Sequence, residues 1–183
     1  MRVITGVAGG LTLFVPRSEL RPTMDKVRGA IFDSLREVVI GARVLDLFAG
    51  SGALGIEALS RGAASVVFVE NDRRAVAAIE RNLVHTRLTG TVHPGDIFSY
   101  LDRLAGPAAF DLVFADPPYV RKPGDRDFDH ELLQNAALQH TLAPDGIFIL
   151  EHLPGAKLPL GTGWECLRQK RYGATEVAML RRK

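Results

Sequence analysis

A chain of 183 residues, 46% hydrophobic and 24% charged with a formal net charge of +2, has the composition of an ordinary globular domain and can bury one substantial core. No apolar run approaches the roughly 18 residues a membrane helix needs, and the first residues lead into alternation and not into a signal-peptide core, so a cytoplasmic protein without a membrane partner is expected. The single cysteine, Cys166, excludes an internal disulfide or a thiolate cluster, and the five histidines lack ligand spacing, so no metal is expected.

Charge is unevenly spread. Residues 1 to 42 hold six Lys or Arg against four Asp or Glu, residues 161 to 183 hold six against two, and the middle is acidic. Basic ends around an acidic centre suit a phosphate backbone as well as they suit a plain solvated surface.

In chain order, residues 2 to 16, RVITGVAGGLTLFVP, alternate around Gly9-Gly10 and predict a β-hairpin. Thr23 can then cap a helix whose apolar positions Met24, Val27, Ile31, Leu35 and Val38 keep helical spacing. Its other face offers Lys26 and Arg28, and Arg21 lies ahead of the cap in an extended Arg-Pro segment. From residue 43 onward, RVLDLF, SVVFVE, a short run from Thr91 to His93, FDLVFA and GIFILEH predict strands. Helices are predicted over about Ala53 to Arg61, Arg73 to Thr86 and His130 to Leu142.

Such alternation predicts an α/β fold with a parallel sheet covered on both faces. The last segment, WECLRQKRYGATEVAML, alternates about Tyr172-Gly173 and predicts a closing antiparallel pair, while VRKPGDRDFD, residues 120 to 129, is the candidate mobile loop. In open parallel sheets ligands sit outside the carboxyl ends of the strands, so the chemistry belongs at the strand exits.

At the first exit, DLFAGSGALGIE contains Gly50-x-Gly52-x-x-Gly55, a formal dinucleotide fingerprint that any tight strand-to-helix turn also satisfies. Glu70 closes the second strand, where an acid can accept from both ribose hydroxyls, so two strand ends agree on a nucleoside. Asp46, four residues ahead of Gly50, opposes a pyrophosphate but suits a cationic amino-acid tail. S-adenosyl-L-methionine has that tail, a ribose for Glu70, and an adenine for Gly95-Asp96-Ile97, whose carboxylate accepts from the adenine amine while Ile97 packs on the ring. Asp96 equally suits a helix N-cap, and the two roles can coexist. No Gly-Lys-Ser/Thr follows the turn, which excludes a P-loop.

At the exit of FDLVFA stands Asp116-Pro117-Pro118-Tyr119. It would serve as a rigid turn, but it lies at the sheet edge where the first exit places the ligand. The exocyclic amine of a base is a poor nucleophile because its lone pair is delocalised into the ring. Two acceptors on its hydrogens, the Asp116 carboxylate and the Pro117 carbonyl held by Pro118, would let the lone pair build up on nitrogen. Tyr119 offers a face for a flipped base, a contact worth ~1 to 3 kcal/mol.

With DLFAGSGALGIE, VEND, GD and DPPY in this order, the chain resembles the Rossmann-like class I S-adenosylmethionine methyltransferases. With LRPTMDKVRGAIFDSL and KRYGATEVAMLRR added, it resembles more specifically the RsmD-type ribosomal RNA guanine-N2 methyltransferases, over nearly its whole length. The resemblance implies a seven-stranded sheet and methylation of the N2 amine of one guanine, position 966, in 16S ribosomal RNA within an assembled or assembling small subunit. Residues 1 to 42 would be an RNA-contacting extension and residues 43 to 183 the methyltransferase domain. By position, Asp46, Phe48, Gly50, Ser51, Gly52, Glu70, Asn71, Asp96 and Ile97 would bind the cofactor, and Asp116, Pro117 and Tyr119 would carry catalysis. Arg21, Thr23, Lys26 and Arg28 would face the RNA, and no feature requires more than a monomer.

Three other readings compete. Adenine-N6 methylation uses the same acceptor pair, but the roughly 60 residues between Gly55 and Asp116 leave no inserted domain for reading DNA sequence, which favours RNA. A dinucleotide oxidoreductase explains the glycines and Glu70 but leaves Asp46 and DPPY without a role. A non-catalytic RNA-binding module explains only the charge.

Overall fold

The computed structural model describes residues 1–16, 24–104, 110–122, 124–161 and 163–183. An N-terminal segment leads to α1 (Met24–Leu35) and a short 3-10 helix (Arg36–Val39). Alternation then begins: β1 (Arg43–Leu47), α2 (Ala53–Ser60), β2 (Ser65–Glu70), α3 (Arg73–Thr86), β3 (Thr91–Pro94), α4 (Ile97–Arg103) and β4 (Phe110–Ala115). Two short helices, α5 (Phe128–Gln134) and α6 (Ala136–Thr141), precede β5 (Leu142–His152), and the antiparallel pair β6 (Trp164–Tyr172) and β7 (Thr175–Arg182) closes the fold.

All seven strands form one sheet in the order β3-β2-β1-β4-β5-β7-β6. The pairs among β1 to β5 are parallel, and β7 is antiparallel to both its neighbours. Strand order reverses between β1 and β4, so Leu47 and Ala115, their last residues, pair at the switch point where ligands of such sheets sit. Because β6 is antiparallel to β7, its end at Tyr172 lies at this same carboxyl rim.

Strand residues alternate between two cores. Val44, Phe68, Phe114 and Ile149 pack with Phe32, Ile56 and Ile79 from α1, α2 and α3, whereas Leu45, Val69, Val113 and Phe148 pack with Leu101, Leu132 and Leu138 from α4, α5 and α6. This is the predicted α/β architecture with helices on both faces. Helix ends follow local chemistry: Asp72 caps α3 by accepting from the Arg74 and Ala75 amides at 2.6 and 3.2 Å, and Arg87 ends it in a left-handed conformation.

Two sequence expectations change. The N-terminal hairpin is short: its bridge, Arg2 with Thr12, is flanked by the Val3 amide on the Leu11 carbonyl at 2.9 Å and the Leu13 amide on the Met1 carbonyl at 3.0 Å, and it stops where the Thr5 amide turns to α2. The Ile4 and Thr5 amides donate to the Glu57 carboxylate at 2.7 and 3.0 Å, and the Ala8 amide donates to Ser60 Oγ at 3.0 Å. The expected helix from His130 to Leu142 is broken at Asn135, whose extended backbone ends α5 while its side chain caps α6 through the Leu138 amide at 2.8 Å.

Candidate active site

β1 carries Asp46 to the rim, and the chain then turns through Phe48 at φ 55°, Gly50 at 54° and Gly52 at 80° into α2. A left-handed phenylalanine is uncommon, and here it accompanies a turn held by two acids. Asp46 Oδ2 accepts from the Gly55 amide at 2.9 Å, and Glu70 Oε2 accepts from the Gly50 amide at 2.8 Å. The other Glu70 oxygen accepts from the Asp72 amide at 2.8 Å. Gly55 has a packing reason of its own: a Cβ there would lie 2.3 Å from Phe68 Cε1, so only glycine lets α2 sit directly on β2.

A cavity of about 350 Å³ opens at this rim. From the first two exits it is lined by Asp46, Phe48, Gly50, Ser51, Glu70 and Asn71; from the fourth strand's exit Asp116, Pro117 and Pro118 complete the wall. The two motifs read separately in the sequence therefore share one space. Its last wall is Phe128, at the start of α5, whose ring meets Phe48 edge-on at 5.0 Å. Arg126 lies over the Phe98 and Phe128 rings at 4.8 and 4.7 Å and pairs with Glu131, which folds the segment after DPPY back over the site.

Asp46 is almost fully buried, and its carboxyl is pushed up to about 8. Burial is the main cause and the nearby Glu70 adds to it, against the opposing hydrogen bond from Gly55. Such a group favours a cationic neighbour, which would restore its charge. Glu70 gives one hydrogen bond position on each oxygen to the backbone and retains further acceptor capacity on both. A cavity with this acid pair, a close-approach turn and an aromatic edge fits a nucleoside carrying an amino-acid tail.

Other predicted cofactor residues sit further off. Gly52 is left-handed and packs against Ile79 and Ile56, so its place in the turn is explained by packing. Exposed Asp96 caps α4 through the Ser99 amide at 2.9 Å, and Ile97 is in the core; neither lines the cavity. Their turn is nonetheless tied to the second exit, since the Gly95 amide donates to the Glu70 carbonyl at 2.9 Å. The Ser51 hydroxyl points to Met1 Sδ, while its carbonyl accepts from Asn82 Nδ2 at 2.9 Å.

At the fourth exit Asp116 is half-buried, Pro117 buried and Pro118 exposed. Tyr119 does not line the cavity. Its hydroxyl lies 2.6 Å from Thr175 Oγ1 on β7 and 3.4 Å from Glu151 Oε1 on β5, and Thr175 in turn donates to the His152 carbonyl. The ring is thereby fixed to the sheet edge beside the prolines.

Of the expected RNA contacts, Arg21 and Thr23 lie outside the described residues. Lys26 is exposed on α1. Arg28 is a correction: it is 3% exposed, with its guanidinium bonded to the Arg2 carbonyl and, at 2.9 Å, to Asp25, and with Nε 3.7 Å from Glu57. It fastens α1 to the N-terminal segment and α2 and faces inward. Among the described residues no group of three or more His, Cys, Asp or Glu is placed to hold a metal, and no helix is long and apolar enough to cross a membrane.

The family described as conserved hypothetical protein 95 matches residues 1–181. YlbH of Bacillus subtilis (strain 168) is 37% identical over 188 residues, covering 100% of both chains. The ribosomal RNA small subunit methyltransferase D of Haemophilus influenzae is 32% identical over 177 residues, covering 94% of this chain and 89% of that one. Among solved structures, a hypothetical protein of Thermus thermophilus superimposes with a TM-score of 0.84 at 31% identity, covering 99% of each chain.

Proposed function

Since the chain belongs to the RsmD-type family of small-subunit ribosomal RNA methyltransferases, we propose that it methylates the exocyclic N2 of a guanine in 16S ribosomal RNA, position 966, with S-adenosyl-L-methionine as cofactor. The observation that carries this reading is the single cavity shared by Asp46, Gly50 and Glu70 on one side and by Asp116 and Pro117 on the other.

Asp46 and Glu70 would hold the cofactor, the first through its ammonium and the second through the ribose hydroxyls, with Phe48, Gly50, Ser51 and Asn71 around it and Asp96 and Ile97 toward the adenine. When bound, the cofactor supplies a methyl group activated by a sulfonium. Asp116 accepts one hydrogen of the base amine and the Pro117 carbonyl accepts the other. The pair orients the nitrogen and lets its lone pair localise as the bond forms. The prolines contribute no N–H that would compete for those acceptors. Tyr119, anchored at its hydroxyl, offers its face to the flipped base. The proton lost from nitrogen passes to solvent once the amine is cationic, so no strong base is required.

The partner is 16S ribosomal RNA in an assembled or assembling small subunit, met by a monomer with Lys26 on its approach face. The test is a nucleoside digest of ribosomal RNA from cells lacking the gene. One N2-methylguanosine should vanish and return with the wild-type gene but not with Asp116→Ala. An unchanged guanosine profile with loss of N6-methyladenosine would assign the acceptor pair to adenine instead.

A further inference from the structure

β6 is a long edge strand and contrasts with the largely buried inner strands β1, β2, β4, β5 and β7. Seven consecutive residues, Glu165 to Arg171, are exposed on both faces, so the strand gains little from apolar burial and is held chiefly by its ladder with β7. Its second half carries Arg168, Lys170, Arg171 and Tyr172. Among the described residues, none of the three cations is within ion-pair distance of a carboxylate.

Register decides where they point. Arg168, Lys170 and Tyr172 pair with Met179, Val177 and Thr175, and Val177 and Met179 belong to the core beneath α1, so these three side chains lie on the α1 face of the sheet. Alternate residues of a strand stand about 7 Å apart, which spaces the three as a row running up to the rim. The row reaches the active site through short contacts. Lys170 Nζ is 5.3 Å from the centre of the Tyr172 ring, Tyr172 pairs with Thr175, and Thr175 Oγ1 is 2.6 Å from the Tyr119 hydroxyl. Arg171, from the opposite face, bends to the turn and donates to the Gly173 carbonyl at 3.0 Å.

We propose that the edge strand β6 is a docking surface for the ribosomal RNA backbone, with Arg168, Lys170 and Arg171 taking phosphates next to the nucleotide that enters at Tyr119. The inference rests on the RNA reading above. Its argument is charge complementarity: Arg168 and Lys170, exposed and with no carboxylate in ion-pair distance among the described residues, lead along one face to Tyr172 and through Thr175 to Tyr119, with Arg171 at the adjoining turn. It gives the basic C-terminal segment a role. The competing use of such charges is to guard an open sheet edge against pairing with another chain.

The experiment uses full-length protein and small ribosomal subunits from cells lacking the gene. Arg168, Lys170 and Arg171 are replaced by alanine singly and together, and arginine-to-lysine variants keep the charge. The triple variant should raise KM for subunits about tenfold or more, with kcat within about twofold. Its plot of log Kd against log salt should be shallower by about 2, at roughly 0.7 per lost contact. Arg168→Lys and Arg171→Lys should keep the wild-type slope. Unchanged KM and slope overturn the proposal, as does a triple variant that aggregates while its soluble fraction binds like wild type. Because the salt slope needs no methyl transfer, wild-type protein that binds subunits but methylates nothing would sink the functional reading and leave this surface standing.

Discussion

Tyr119 and Thr175, 56 positions apart, meet hydroxyl to hydroxyl at 2.6 Å. This contact ties DPPY to the distant YG-x-T segment. The first carries the Tyr119 ring beside the prolines, and the second, at the start of β7, anchors its hydroxyl through a hydrogen-bond chain that ends on the His152 carbonyl. Replacing Thr175 with valine should remove about 1 kcal/mol of orientation, a fall of roughly fivefold in kcat/KM for RNA. Thr175→Ser should restore it, and S-adenosylhomocysteine affinity, measured by calorimetry, should stay at the wild-type value.

Asp116 is expected to act in the transition state more than in binding. Asp116→Asn keeps the side-chain volume but turns one acceptor into a donor, so kcat should fall by on the order of 100- to 1000-fold. Subunit affinity should hold within a few-fold. A parallel loss of affinity would show that the acid binds RNA and does not activate the amine.

Asp46 predicts a pH dependence with a defined sign. Its carboxyl is raised from 3.8 to about 8 in the folded protein, so the folded state binds the extra proton between those values. The associated stability is present in full below about pH 4 and is lost as pH rises through about 8. Ligand-free protein should therefore lose thermal stability across that window, and Asp46→Asn should flatten the curve. At pH 7 a cationic tail should drive the proton off. Calorimetry in phosphate and in Tris should reveal release of up to about one proton per cofactor for wild type and none for Asp46→Asn.

Arg28 should behave as a structural residue. Arg28→Met removes a buried cation from Glu57 and Asp25 and should cost about 3 kcal/mol in denaturant unfolding. Subunit affinity of the folded fraction should not change. A drop in affinity without a drop in stability would return Arg28 to the RNA interface.

Local signals in the chain carried the strands, most helices and both exit motifs, since each is a short apolar run closed by glycine, proline or an acid. The meeting of Asp46 with Asp116 was legible because strand order and the carboxyl-rim rule place them together without any knowledge of side chains. Phe128 was not, because its position depends on how the segment after DPPY folds back over Phe48 and Phe98, and no periodicity encodes that return. Arg28 reads as an RNA contact by its charge, but it is four residues after Met24 and three before Ile31, so it borders the apolar stripe and is buried. The hairpin is present but short, because Glu57, 52 positions away, takes the Thr5 amide that a longer ladder would have used.

Those same bonds bear on how the polypeptide tolerates being shortened. Glu57, Ser60 and Asn82 are all sealed from water, and their partners include the amides of Ile4, Thr5, Ala8 and Phe14. Clipping off the first sixteen residues would take these partners from a carboxylate, a hydroxyl and an amide and would remove Val3, Ala8 and Leu13 from the core over α2, a penalty falling on the very scaffold that shapes the glycine turn. The leading segment is thus no detachable handle: in this molecule the part that greets the outside world is also mortar between its inner bricks.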